Sequence, residues 1–484
     1  MSDLGVAEPP VIHPVSPDRQ PLSPLTAPLS NPLLDGKLLP TLLKLSAPNV
    51  VALSAGTLVV IAETTYIGRL GTESLAAMAL VFPFVMLMMT MSGGAMGGGV
   101  SSAIARSLGA NDTQRAATLA NHALMIAICF GLVFMIGMLT LGPLALTTLG
   151  GRGAVLDQAV GYVHIFFGGA IIPWLMNTFA SILRGTGNMK LPSAIILNSA
   201  LCQIVLGGVL GLGLGPVPQF GMRGVAAGSL IAYSIGTTIM AWYVFSGRAR
   251  VQPKLRGMAI ERRLFVDILK VGLVACFSPL QSVLTITIVT RLLAGFGTAV
   301  LAGYGIGARL EFMLSSLAFA VGVASVPMVG MAIGAGRVAR ARRIAWMSGT
   351  IAFTVVGFFG TLVAFFPDIW VNMFTEDAGV RAASHAYLAT AAPMYAFLGL
   401  ATAMYFASQG AAKVIGPVLA QTARLVFIGI GGWWLTSHNA GPEAFFVLAS
   451  ASMVVLGTLS ALSVTLTRWG NAPAALPQVQ PTLT

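Results

Sequence analysis

The sequence predicts an all-α polytopic membrane protein with twelve transmembrane helices in two pseudo-symmetric six-helix bundles. Composition, the spacing of its apolar stretches and an internal repeat carry that prediction. Of 484 residues, 56% are hydrophobic and only 9% charged, and the mean hydropathy is +0.85. A soluble globule of this size could not cover its surface with so little polar material.

Twelve apolar segments reach the roughly twenty residues that a hydrocarbon core of about 30 Å requires. They fall near 44–67, 75–106, 119–141, 157–183, 192–213, 222–245, 265–291, 299–333, 341–366, 382–408, 415–436 and 443–467, separated by polar or Gly/Pro-rich turns. Residues 1–40 hold nine prolines and no apolar periodicity, which predicts a disordered tail; residues 469–484 read as a second tail. The first apolar run is too long and too far from Met1 for a signal peptide. Between the tails the expected units are an N-lobe over 41–247, a linker over 248–264 and a C-lobe over 265–468.

Charge sets the orientation. The net charge of +12 is concentrated between apolar segments, as in Arg248, Arg250, Lys254, Arg256, Arg262, Arg263 and Lys270, or Arg337, Arg340, Arg342 and Arg343. Juxtamembrane clustering follows the positive-inside rule and argues against nucleic acid as a partner. With the N-terminus inside, twenty Lys and Arg lie on the cytoplasmic face, against Arg69, Arg152, Arg223, Arg291 and Arg381 on the other. Both termini are therefore expected in the cytoplasm, the bilayer being a cell's inner membrane.

The halves repeat. Gly109-Ala110 recurs 225 residues on as Gly334-Ala335, and Arg115-Ala116 as Arg340-Ala341. RGTGNMKLP from Arg184 meets QGAAKVIGP from Gln409 at the same offset. One offset across two loops indicates a duplicated six-helix unit with its pseudo-two-fold axis along the membrane normal, a plan used by transporters whose site lies between rocking halves.

Ionisable groups at membrane depth are the candidates for function, because an ion in hydrocarbon costs several kcal/mol. Glu63 closes the first span in IAETTYIGRLG, and an offset of 225 or 226 meets Ile288 or Val289, so the carboxylate is not part of the shared scaffold. A carboxyl taken out of water holds its proton more tightly, and an approaching cation loosens it, so proton and cationic substrate can compete for one group. Its bland alternative is a simple pair with a basic neighbour. Glu311 and Arg424 are expected to pair in the second bundle, either as a structural lock or in transport. The run Gly93, Gly94, Gly97, Gly98 and Gly99 predicts close helix packing, and Pro48, Pro83, Pro173, Pro279, Pro327 and Pro393 should bend their helices. Cys129, Cys202 and Cys276 read as small buried hydrophobes without metal-ligand spacing.

IAETTYIGRLG, SLGANDTQRA, RGTGNMKLP, FGMRGVAAGS and ARLEF with IGAGRVARARR, in this order over roughly residues 37 to 468, resemble the multidrug and toxic compound extrusion (MATE) family. That resemblance implies efflux of amphipathic, often cationic small molecules in exchange for protons or sodium ions. It assigns Glu63 to the coupling ion, Pro48 to a bend of the first helix, and Tyr66, Asn177, Gln203 and Ser229 to the N-lobe cavity. Where part of the family has Asn and then Asp on the fifth helix, this chain has Gln203 and Gly207, and the acids of the sodium-using branch align with Ser282 and Leu398. The pattern favours protons, because a sodium cage wants several oxygen ligands. No catalytic residue, metal or cofactor is implied, and a monomer in the lipid bilayer is expected. A lipid-precursor flippase would need cavity cations, for which only Arg309 and Arg424 are available, and a membrane enzyme finds no His, Cys and carboxylate motif.

Overall fold

In the computed structural model, residues 32–253 and 260–470 are described. They form α1 (Pro32–Asp35), α2 (Leu38–Leu70), α3 (Thr72–Thr90), a π-helical turn (Met91–Met96), α4 (Gly97–Gly109), α5 (Thr113–Thr148), α6 (Gly153–Gly168), α7 (Ile171–Gly185), α8 (Lys190–Leu212) and α9 (Gly221–Phe245). The second half continues with α10 (Arg262–Ala275), α11 (Phe277–Ala294), α12 (Thr298–Gly334), α13 (Val338–Phe365), α14 (Asp368–Val371), α15 (Ala378–Ala391), α16 (Tyr395–Gly410), α17 (Ile415–Ser437) and α18 (Pro442–Leu466). Ten stretches are each long and apolar enough to cross a bilayer, and two bent pairs, α6–α7 at 47° and α15–α16 at 55°, bring the crossings to twelve.

Helix ends expose the duplication. α4 and α12, α7 and α16, and α8 and α17 all end 225 residues apart, and α8 and α17 also begin at that offset. Even the bend recurs. Gly168 to Ile171 interrupts the first pair, and the second breaks around Pro393, whose ring cannot donate the helical hydrogen bond. Pro48, Pro83 and Pro327 sit inside helices that run on uninterrupted. Gly71 (φ +119°) and Gly297 (φ +101°) turn the first helix of each half into the second, a left-handed conformation that a Cβ would strain.

Within the first half α2 packs on α8, α8 on α9, and α5 on α6 and α7; within the second α12 packs on α13 and α16, and α17 on α11 and α18. The halves meet where α4 lies along α12. All five glycines of the predicted packing run are in contact. Gly93 abuts Asn177, Gly94 abuts Phe319, Gly97 abuts Ser181, Gly98 abuts Gln409, and Gly99 lies on the Gly272 backbone.

That seam is closed at one end only. Twelve of the thirteen residues of α4 are buried, whereas α3 buries four of nineteen, and the buried residues of α12 crowd into Ala320–Ala332. At the tight end, which carries Arg106, Arg115, Arg337 and Arg340 and is called here the basic end, Ser102 donates to the Gln409 carbonyl at 2.5 Å and to that of Gly410 at 3.1 Å. Asp267, at the start of the second half, pairs with Arg106 and Arg115 of the first, both at 3.0 Å, and with Lys270 at 2.6 Å.

Two sequence expectations need correction. Residues 32–40, assigned to a disordered tail, are largely helical: Leu33 is buried against Gly187, while Arg337 and Arg340 donate to the carbonyls of Leu33, Leu34 and Gly36. These contacts tie the segment to both halves. The remainder of that tail and residues 471–484 lie outside the described residues, as do 254–259 of the linker. Second, of the three cysteines only Cys276 is buried; Cys129 is exposed and Cys202 half-buried. In a membrane protein an apolar segment faces lipid as well as core, so an apolar neighbourhood in sequence does not imply burial.

Candidate functional site

Three helices of the first half converge on Glu63. It lies in the last third of α2 and is 7% exposed. From α8 the Gln203 side-chain amide donates to Glu63 Oε1 at 2.8 Å, and from α9 the Ser229 hydroxyl reaches the same oxygen at 3.5 Å while also donating to the Val225 carbonyl at 3.1 Å. Both contacts fall on Oε1, and among the described residues Oε2 has no hydrogen-bond partner. No cation pairs with this carboxylate among the described residues, which removes the bland alternative of an ion pair. The side chain is held by neutral donors, in a site where charge on the carboxylate is poorly compensated.

Tyrosines complete the cluster. Tyr66, one turn beyond Glu63, is 7% exposed, and its buried hydroxyl has no partner. A Cβ at position 207 would lie 2.6 Å from that hydroxyl. Gly207 therefore makes room for Tyr66 where part of the family is expected to carry a second acid. Tyr162 of α6 and Tyr233 of α9 also lie within electrostatic reach of Glu63. Neither was singled out from sequence. Tyr233 stands four residues beyond Ser229, on the same helix face, and the repeat places Tyr162 opposite Tyr387 at the common offset of 225, so both signals were present.

Asn177 is placed elsewhere. Its amide donates to Ser92 at 2.8 Å and approaches the Met89 sulfur at 3.9 Å, pinning α7 to the π-helical turn, not to the Glu63 cluster. Pro48 lies in the basic half of α2, four turns from Glu63. A cavity of about 510 Å³ opens at the end opposite the basic one, lined by Leu70, Ser74, Asp157, Gln158 and Arg223 among others. It borders the same α2, α6 and α9 that carry Glu63, Tyr162 and Ser229.

In the second half Glu311 and Arg424 come together as expected, with Nη2 3.9 Å from Oε1, and Arg424 Nε donates to Ser452 at 3.2 Å. Tyr304, Tyr387 and Tyr395 lie within electrostatic reach of Glu311, whose side chain is 18% exposed, so six of the eight tyrosines gather around the two membrane-depth carboxylates. Arg309 is exposed and its guanidinium lies over the Phe374 ring, 5.2 Å from the centroid. Ser282 accepts from Gln421 at 3.0 Å, a neutral contact where an acid was aligned.

The MatE family model matches residues 48–209 and again 275–434, one match in each half. Among curated relatives, the FAD transporter of Shewanella oneidensis is 23% identical over 421 residues, covering 86% of this chain and 92% of the relative. The probable multidrug resistance protein NorM of Deinococcus radiodurans is 26% identical over 408 residues, covering 83% and 88%. Among solved structures, a MOP superfamily transporter from Pyrococcus furiosus described with a binding pocket of reversed polarity superposes with a TM-score of 0.84 at 23% identity, covering 90% and 96%. An outward-facing MATE family multidrug resistance transporter gives 0.82 at the same identity, covering 90% and 96%. With two family matches spanning most of the chain on a duplicated twelve-crossing scaffold, the protein belongs to the MatE family of MATE transporters.

Proposed function

We propose that the protein is a secondary active antiporter that exports amphipathic small molecules in exchange for protons by alternating access, with Glu63 as the coupling site. The single observation carrying this reading is a buried carboxylate whose hydrogen-bond partners, Gln203 and Ser229, are both neutral. Such a group can exist with or without its proton, whereas one clamped to an arginine stays ionised. Gln203 and Ser229 fix Oε1, so Oε2 is the atom that takes up and releases the proton. Tyr66, Tyr162 and Tyr233 surround it with hydroxyls, and the 510 Å³ cavity on the same helices offers an aqueous route from the end opposite the basic one.

Lobes spanning 41–247 and 265–468 tilt about the linker at 248–264. With the basic end in the cytoplasm, as the Lys and Arg asymmetry favours, the closed basic seam corresponds to an outward-open state of an inner-membrane monomer. Proton binding from outside and substrate release then occur in this state. Reconstituted protein should drive dye efflux under an imposed pH gradient and not under a sodium gradient, and Glu63→Gln should reduce efflux to that of empty liposomes. Unchanged gradient-driven efflux by Glu63→Gln would sink the assignment.

A second reading concerns cargo. The relative from Shewanella oneidensis is named an FAD transporter, and this chain covers 92% of it, which favours an anionic dinucleotide over the cationic compounds that the family resemblance implies. Competition of FAD and of a cationic dye for the same gradient-driven export separates the two.

A further inference from the structure

Arg184 ends α7 at the basic end of the molecule. Its Nε is buried without a hydrogen-bond partner, and among the described residues its guanidinium has neither a hydrogen bond nor an ion pair. It lines a small cavity on the seam between the halves, together with Gly93, Gly97, Gly98, Ser101 and Ser181 from the first half and Val323, Val326 and Phe406 from the second. On that lining the Ser101 hydroxyl is orphaned too, and so is Gln409 Oε1, which is pressed against Gly98 behind it. Ser181 spends its proton on the Asn177 carbonyl at 2.7 Å, and Gln409 Nε2 donates to the Gly94 carbonyl at 3.2 Å. Of the acids at this end, Asp267 is engaged by Arg106, Arg115 and Lys270, Asp35 by Arg337, and Asp112 accepts from the Arg115 backbone N–H.

Arg184 as a whole is half-buried, but its Nε is cut off from water with no partner, a cost that an anion would relieve, and in membrane proteins such groups mark substrate or ion pathways. At about 10 Å³ the cavity has barely room for one water, so the closed seam cannot hold an anion. Separation of the lobes at the basic end would open it, because Val323, Val326 and Phe406 belong to one lobe and Arg184 to the other. It would also break the Gln409 to Gly94 bond, freeing that amide as a donor next to Gly98, which lines the same cavity as Arg184 and Ser101.

We propose that Arg184, with Ser101 and Gln409, forms an anion site that exists only while the seam is open, taking a phosphate or carboxylate group that enters from the basic side. Seam closure then expels the anion and leaves the buried Nε without a partner, so the anion favours opening and the unpaired cation opposes closure. The inference uses the proposed alternating access only for the existence of a second state, and it does not involve Glu63.

The test uses the full chain in lipid nanodiscs with its three native cysteines replaced and spin labels on Gln114→Cys and Arg343→Cys, exposed positions on opposite lobes at the basic end. Double electron–electron resonance reads the closed and open distances. Millimolar inorganic phosphate should shift the wild type toward the long distance. Arg184→Gln should abolish that shift and, without phosphate, raise the closed-to-open ratio about tenfold, equivalent to about 1.4 kcal/mol. Arg184→Lys should retain a phosphate response, which separates loss of charge from misfolding. FAD acting at a far lower concentration than phosphate, with riboflavin inert, assigns the anion to a substrate; equal potency of FAD and phosphate assigns it to a free anion. Absence of any phosphate-driven shift in the wild type, or the same shift in Arg184→Gln, overturns the proposal. In a Glu63→Gln background the phosphate response should persist, so failure of the coupling reading leaves this one standing.

Discussion

Both lobes set a carboxylate among three tyrosines, Glu63 buried and Glu311 with its side chain 18% exposed, and they differ in what faces it. Glu63 meets an amide and a hydroxyl; Glu311 meets the guanidinium of Arg424. Arg424 stands at the repeat position of Ser199, one turn before Gln203 on α8. A single cation on equivalent helices thus divides the two: in one lobe the charge is neutralised by the protein and static, in the other it can be neutralised only by something that arrives. The duplicated scaffold supplies two similar pockets, and the partner of each acid decides which can exchange a guest.

The strongest test of this contrast removes Arg424. Arg424→Ala leaves Glu311 uncompensated and should cost about 3–5 kcal/mol of stability, read as a lowered thermal midpoint. The double variant Glu311→Gln with Arg424→Met should recover most of it and keep proton-driven efflux; loss of coupling in the double variant would give the second lobe a role in exchange. Next in size, Gly207→Asp brings a side chain into the space of the Tyr66 hydroxyl and should cost about 1–3 kcal/mol in the same melt. Adding Tyr66→Phe should relieve that loss. Gln203→Leu deletes the shorter of the two contacts on Oε1 and should cost about 1–3 kcal/mol of transition-state or binding free energy, seen as a several-fold to hundredfold drop in pH-driven efflux with folding retained. Smallest, Tyr66→Phe alone should change stability by less than about 1 kcal/mol, since its hydroxyl makes no bond in this state. A clear loss of efflux in Tyr66→Phe would mean that the hydroxyl meets the proton or substrate in the other state.

Crossings, their order, the offset of the halves and the pairing of Glu311 with Arg424 were legible because each is written as periodicity or as a rare charge in apolar sequence. Family resemblance assigned Gln203 and Ser229 to the N-lobe cavity, but that both meet Glu63 Oε1 was not read from sequence. Asn177, assigned to the N-lobe cavity by resemblance, meets Ser92 and not the Glu63 cluster, on a helix broken at 169–170. Asp267 drew no notice among its basic neighbours; that it bridges two lobes is a fact of packing between distant segments. Arg184 was visible as a positive-inside charge and as the start of RGTGNMKLP, but not as an unpaired cation, since an absent partner leaves no mark on sequence. The tyrosine cluster could have been found by applying the repeat to hydroxyls as well as to glycines.

The π-helical turn Met91–Met96 accounts for a mismatch between the halves. α3 begins 226 residues before its counterpart α12, yet α4 ends 225 before α12 ends; the stretch Thr72–Gly109 has 38 residues where Thr298–Gly334 has 37. One surplus residue, accommodated as a widened turn, is the whole discrepancy. Because each residue advances a helix by about 100°, that insertion swivels everything on the α3 side relative to α4. The stripe that the first lobe shows to the central space is therefore not the one its twin shows, and two copies of one design acquired unlike walls through the gain or loss of a single amino acid.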